Sequence, residues 1–307
     1  MDKGEVNGKK IFLAVIDILS YAFGINLNLA LPTPLFLLVL PAEERMEKIK
    51  AIFCDFDWTL FDHKTRSFNI KGVEGLGKAH EKGVKLIINS ARSYHSLRGL
   101  RTFDVIPFDG FVVSNGGAAL LDGGVLYADY IDEKKASAIK AYLDSNGFSY
   151  NLITLHDSFL RNAEERIIED FYRVFYEPRP FDIAAYSGER PLAIQVFAYE
   201  KDEGPLKQLS ASLGLVYNRF AENAVELTPI EFKKSKGVDA IFKAMGLSKE
   251  EAMAFGDDLN DIPMFESVKY SVCLGNGKKE AKEAAYYVTD PIDEDGLSKA
   301  LFHFGVI

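Results

Sequence analysis

The sequence predicts an α/β protein: a doubly wound, mainly parallel sheet interrupted by a compact α+β segment. Three observations carry this reading. From Met46 onward short apolar runs alternate with helix-like stretches, the pattern of strand, helix, strand units. Each apolar run ends in polar or glycine-rich residues, as expected where a ligand sits beyond the carboxyl ends of parallel strands. Between about Asp129 and Glu226 the texture changes to mixed helix and alternating strand, over a length normal for a small domain.

The first strand is expected over 49–54 and runs into Asp55 and Asp57. Further core strands are expected over 84–88, 110–113, 252–255, 270–274 and 286–288. Their C-terminal ends carry Asn89-Ser90-Ala91-Arg92, Ser114-Asn115-Gly116-Gly117, Gly256-Asp257-Asp258, Gly275-Asn276-Gly277 and Asp290. In the inserted segment an amphipathic helix over 132–146 closes at Gly147, and a strand follows over 148–155. A helix is expected over 167–176, ending before Pro178 and Pro180. A strand over 191–199, a helix over 205–213 before Gly214, and strands over 215–220 and 225–228 complete the segment. The main sheet resumes after Lys236-Gly237, with a helix over 238–245 closed by Gly246. The expected division is a core of 46–128 and 227–307, an insert of 129–226, and an extension of 1–45.

The composition, 48% hydrophobic and 26% charged over 307 residues, describes an ordered globular chain. A net charge of -9 argues against nucleic acid as the main partner, since neutralising a phosphate backbone needs a basic face. An anionic substrate must then be received by local positive groups or a metal. Cys54 and Cys273 both sit in apolar runs, so a disulfide framework is not expected and a reducing, cytoplasmic location fits. Residues 11–40 are almost wholly apolar, with Asp17 the one charge and Pro32 and Pro34 interrupting. They read as an extension foreign to the fold, a membrane segment or a packed helix, and any membrane association would run through them. Met46-Glu-Lys-Ile-Lys reads like a fresh start just before a strand.

Asp55 and Asp57 lie two positions apart at a strand end, so like charges share one small volume, which needs a cation or a shared proton. Asp55 suits nucleophilic attack on phosphorus, and Asp57, its proton affinity raised by its neighbour, suits acid and base work, or the two merely cap a strand and loop. Thr59 would fix the turn or donate a hydroxyl. In Ala254-Phe-Gly-Asp257-Asp258-Leu-Asn260-Asp261 three acids and an amide follow a second strand, either an acidic N-terminal cap of the next helix or a hard-oxygen set suited to magnesium, with Asp257 as direct ligand and Asn260 and Asp261 behind it; two acidic strand ends in one sheet favour the metal. The Ser90 hydroxyl and the amides after it can hold phosphate oxygens, or simply cap a helix. Arg92 would bind phosphate or form an ion pair. Lys236 would neutralise charge on the phosphorylated carboxylate, or lie in solvent with Lys233 and Lys234.

In order along the chain, Asp55-Phe-Asp57-Trp-Thr59, Ser90, Lys236 and Gly256-Asp257-Asp258-Leu-Asn260-Asp261 resemble the four motifs of the haloacid dehalogenase-like phosphatases. An insert placed after Ser114-Asn115-Gly116-Gly117 resembles the Cof-like branch. The resemblance spans 46–307. It implies a Rossmann-like core, a mobile cap, Mg2+, and hydrolysis of a small phosphorylated metabolite such as a sugar phosphate through an aspartyl phosphate on Asp55. It also implies Asp57 as acid and base, Ser90 and Lys236 on the phosphate, and magnesium on the Asp55 carboxylate, the Asp57 backbone carbonyl and Asp257, with Asp261 supporting. The remaining candidates beside the substrate are Thr59, Arg92, Asn115 and Asn260, with His156, Asp157 and Arg161 in the cap. Trp58 stands where the family usually has glycine. A phosphomutase and a non-catalytic phosphoester-binding protein remain as alternatives, and a monomer or weak dimer is expected. A chain starting at Met46 should be soluble and keep full activity; an insoluble or inactive protein from that start would refute the reading of residues 1–45 as foreign to the fold.

Overall fold

The computed structural model describes residues 49–162, 169, 173, 176, 178–229 and 232–307. The readings of 1–45, and the helix expected over 167–176 apart from Glu169, Arg173 and Tyr176, fall outside these. Among the described residues no helix is long and apolar enough to cross a membrane.

The chain enters through β1 (Ala51–Cys54), all four residues buried, and turns through a small hairpin, β2 (Phe61–Asp62) and β3 (Ser67–Phe68). Then come β4 (Lys85–Asn89), β5 (Gly110–Val113), β6 (Ala118–Leu121) and β7 (Gly124–Ala128). The smaller sheet is built from β8 (Ser149–Ile153), β9 (Ser158–Arg161), β10 (Phe181–Asp182), β11 (Ala193–Phe197), β12 (Val216–Ala221) and β13 (Ala224–Thr228). The chain then returns to the larger sheet with β14 (Ala252–Gly256), β15 (Tyr270–Cys273) and β16 (Tyr287–Val288).

The larger sheet has the order β16-β15-β14-β1-β4-β5-β6-β7. The six strands from β16 to β5 pair in parallel, and β6 and β7 add antiparallel at one edge. Such parallel strands are buried on both faces and read as continuous apolar runs, which is why the sequence shows them plainly. The edge hairpin lies beyond the strands the sequence predicts, although its turn is written in Asp122-Gly123: both residues take positive φ, 48° and 81°, as a tight two-residue hairpin requires. One face of the sheet packs Phe53, Ile87, Val112 and Ala254 against Val238, Ile241 and Met264. On the helix Ile70–Glu81, a Cβ at Gly75 would come within 3.0 Å of Leu301 on the helix Gly296–His303, so these two helices touch.

The smaller sheet, β10-β9-β8-β11-β13-β12, is antiparallel except between β9 and β10. One face buries Tyr150, Leu152, Ile194, Val196, Val225 and Leu227 against Ile139 and Leu143 of the helix Glu133–Ser145 and Leu206 of the helix Glu203–Ser212. The architecture is thus a Rossmann-like parallel-sheet core with an inserted α+β cap.

The helix Lys234–Met245 lies against β5 so closely that a Cβ on Gly237 would sit 2.2 Å from Val112 Cγ1. Gly237→Ala must push the helix off the sheet. It should cost about 1–3 kcal/mol, the usual range for overpacking, and lower the urea midpoint; an unchanged midpoint would contradict the close approach.

Candidate active site

The site forms where β1, β4 and β14 end side by side. The Asp55 amide donates to Phe255 O at 2.9 Å, which fixes the tip of β1 against β14. Gly256 ends β14, and a Cβ there would lie 2.5 Å from the Asp261 carboxyl, so a residue without a side chain lets Asp261 fold back over the strand end. Asp261 Oδ2 then accepts from the amides of Asp257 and Asp258 at 2.9 and 3.0 Å. The result is a group of three buried carboxylates, Asp55, Asp257 and Asp261, with an oxygen of each within 4.8 Å of the others.

The cation beside them is Lys234, not Lys236. Lys234 is fully buried; its Nζ donates to Asp55 Oδ1 and, at 2.6 Å, to Asp261 Oδ1. Asn89 at the end of β4 holds the start of the helix by donating to Lys234 O at 3.1 Å. Lys236 is two residues further along, about 200° around the helix at 100° per residue, and so points away. It pairs with Asp129 and lies 4.8 Å over the Tyr127 ring. Of three lysines in four positions, only the one at the buried edge of the helix's first turn reaches the strand ends, and sequence spacing alone did not single it out.

Burial alone would lower the Lys234 pKa, but the Asp261 and Asp55 carboxylates outweigh it and hold the ammonium charged. One ammonium does not balance three carboxylates. Burial, despite Lys234 and reinforced by Asp261, Asp257 and Asp57, raises the Asp55 pKa well above its ordinary value. Burial, with Asp261 and Asp258, pushes Asp257 up to about 7. A divalent cation held by oxygen ligands fits this excess negative charge. Asp55 and Asp257 are the carboxylates suited to hold it, because both Asp261 oxygens already serve Lys234 and the loop amides. Thr59 is buried and donates to Asp257 Oδ1 at 3.3 Å, so its hydroxyl positions that acid.

Asp57 behaves otherwise than expected. Burial would raise its pKa, but His63, whose Nε2 lies 2.6 Å from Asp57 Oδ1, and the Arg92 guanidinium together bring it down to about 2. Arg92 grips both carboxylate oxygens, at 2.8 to 3.1 Å, and donates to Ser96 at 3.0 Å. It is therefore an ion-pair partner of Asp57. His63, missed in the sequence, lies six residues from Asp57, across the turn into β2. The Ser90 Oγ accepts from the Arg92 amide at 3.1 Å and so shapes the loop after β4. Trp58 has φ 59°, a conformation that favours glycine, which accounts for glycine being usual at this position in the family the motifs resemble. Its ring lies against His63, with centroids 5.1 Å apart.

Above these groups opens a cleft of about 580 Å³ between the two sheets. From the core, Asp57, Trp58, Asn115 and Asn260 line it, and Asn260 reaches Asn115 at 3.4 Å. From the cap come Asn151, Gln195, Asn218 and Glu226. The cap residues named from sequence lie elsewhere: His156 packs on Tyr94, Asp157 pairs with Arg98 at 2.5 Å, and Arg161 pairs with Asp144 at 2.9 Å. The signal for the true lining residues was a single polar residue between apolar ones, repeated as Tyr150-Asn151-Leu152, Ile194-Gln195-Val196 and Val225-Glu226-Leu227.

The profile of the haloacid dehalogenase-like hydrolases matches residues 52–301. Phosphatase YwpJ of Bacillus subtilis is 25% identical over 292 residues, covering 83% of this chain and 99% of the relative. The 5-amino-6-(5-phospho-D-ribitylamino)uracil phosphatase YcsE of the same organism is 23% identical over 263 residues, covering 83% and 96%. Among solved structures, the subclass IIB sugar phosphatase BT4131 superposes with a TM-score of 0.67 at 30% identity, covering 84% of this chain and 100% of that one. These likenesses run through core and cap alike and mark a phosphoric monoester hydrolase. The chain belongs to the haloacid dehalogenase-like hydrolases, in their Cof-like branch.

Proposed function

We propose that the protein is a magnesium-dependent phosphatase that hydrolyses a small phosphorylated metabolite through an aspartyl phosphate on Asp55. The observation that carries this reading is the buried Lys234 joined to Asp55 and Asp261 beside Asp257. An Asp55 oxygen attacks phosphorus as the bond to the leaving alcohol breaks, and Asp57 as acid gives that oxygen a proton. In the second step Asp57 takes a proton from the attacking water, phosphate leaves, and the Asp55 carboxylate is restored. His63 and Arg92 favour the ionised form of Asp57, the form the second step needs, so the proton it gives in the first step is taken up with the substrate in place. Lys234 keeps positive charge on the Asp55 side chain throughout, and Asp261 keeps Lys234 and the Asp257 loop in place. Magnesium, held by the Asp55 and Asp257 carboxylates and the Asp57 backbone carbonyl, would supply positive charge to the phosphoryl oxygens.

The relatives support a small organic phosphate as substrate, since one acts on a ribitylaminouracil phosphate and one neighbour is a sugar phosphatase. Buried free thiols at Cys54 and Cys273 support a reducing, cytoplasmic setting.

Phosphate release from p-nitrophenyl phosphate tests the reading. It should need magnesium, stop with EDTA, and fall roughly a thousandfold or more in Asp55→Asn, as for loss of a covalent nucleophile. Activity that survives in Asp55→Asn would remove the aspartyl phosphate, and activity indifferent to EDTA would remove the metal. The two lysines give a second test. Lys234→Met, shown folded by circular dichroism, should lower kcat by about a hundredfold or more, while Lys236→Met stays near the parent value; the reverse ranking would return the role to Lys236.

A further inference from the structure

We propose that one cross-strand row of the cap, Asn151, Gln195, Glu226 and Asn218, reads the hydroxyl groups of an uncharged polyol or sugar borne by the phosphate. The inference rests on the phosphatase reading and concerns the other side of the bond that breaks.

The register makes the row. Asn151 on β8 lies opposite Gln195 on β11, Gln195 opposite Glu226 on β13, and Glu226 opposite Asn218 on β12. Directly opposed residues share a face, and neighbouring strands lie about 4.8 Å apart, so the four side chains form a ladder about 14 Å long. Their sequence neighbours Tyr150, Leu152, Ile194, Val196, Val225 and Leu227 point the other way into the cap core. The row therefore faces the cleft that also holds Asp57, Asn115 and Asn260.

The chemistry of the row is that of a hydroxyl reader. Asn151 and Gln195 are buried, 2% and 4% exposed, at positions where an apolar side chain would pack at no polar cost. They do not satisfy each other: Asn151 Nδ2 donates to Gln195 Oε1 at 3.3 Å, but Asn151 Oδ1 is buried with no hydrogen-bond partner among the described residues. Buried polar atoms in native proteins nearly always have a partner, and a hydroxyl donor from a ligand in this cleft supplies one. Carboxamides both donate and accept, as hydroxyls do, whereas a phosphate or carboxylate calls for guanidinium or ammonium groups. Among the described residues lining the cleft the one arginine or lysine is Arg92, and it is clamped on Asp57. Among the described residues of the cleft, a substrate with a second anionic group would find no other arginine or lysine to receive it. Trp58 and Phe220, in the same cleft, offer flat apolar surface to the carbon skeleton.

Three six-carbon probes separate these properties: sorbitol phosphate, which is rich in hydroxyls, hexyl phosphate, which has none, and fructose bisphosphate, which carries a second anion. Sorbitol phosphate should exceed both others at least tenfold in kcat/KM. Asn151→Leu and Gln195→Leu, close in size to the parent residues, should each shrink that preference fivefold or more, chiefly through KM. Calorimetric binding of the same probes to the Asp55→Asn protein should rank them alike. Equal handling of hexyl phosphate or of the bisphosphate, or a preference that survives both substitutions, would overturn the proposal. Binding preference without any turnover by the parent protein would sustain the row and sink the phosphatase reading. Turnover of p-nitrophenyl phosphate without preference would do the opposite.

Discussion

The strand ends of the core sheet are arranged around an ammonium group that water does not reach. Lys234 lies wholly buried between Asp55 and Asp261, and taking such ions out of water costs on the order of several kcal/mol each even after the protein relaxes. Apolar residues of similar volume would stabilise a fold at least as well. The arrangement is explained by what it does to Asp55: a carboxylate crowded by two acids is kept within reach of one fixed positive charge. The fold delivers the parts. Parallel strands bring distant segments to one edge, the absent side chain at Gly256 lets Asp261 close over the strand end, and that at Gly237 lets the helix bring Lys234 down.

The division of labour between the two sheets follows from their construction. The core offers fixed charges, buried and mutually constrained: Asp57 by Arg92 and His63, Asp257 by Thr59, Asp261 by two amides and Lys234. The cap offers carboxamides and one carboxylate on a regular ladder. Among the described residues of the cleft, the arginine is already committed to Asp57, so the electrostatics of chemistry and the recognition of the leaving group are separate problems with separate residues.

The parallel sheet and the acidic strand ends were legible because both leave local traces: continuous apolar runs for strands covered on two faces, and carboxylates where those runs stop. The edge hairpin is equally legible in its Asp-Gly turn. Two features could not be read locally. Which lysine of Lys233, Lys234 and Lys236 points inward depends on the phase of a helix, which one residue of uncertainty in the start shifts by about 100°. The proton affinity of Asp57 depends on His63 and Arg92, partners that the motif does not contain; the neighbouring Asp55 suggested the opposite direction. The cap row failed for a third reason. β8, β11 and β13 each set a polar residue between two apolar neighbours, but the alignment of the row exists only once four strands are in register.

That the row hangs from one hydrogen-bonded sheet sets how this enzyme can diversify. The intervals between its side chains belong to the backbone, so exchanging one leaves the positions of the others where they were. Descendants can therefore drift from one leaving group to another by single codon changes, without passing through an ancestor that has lost its catalytic centre.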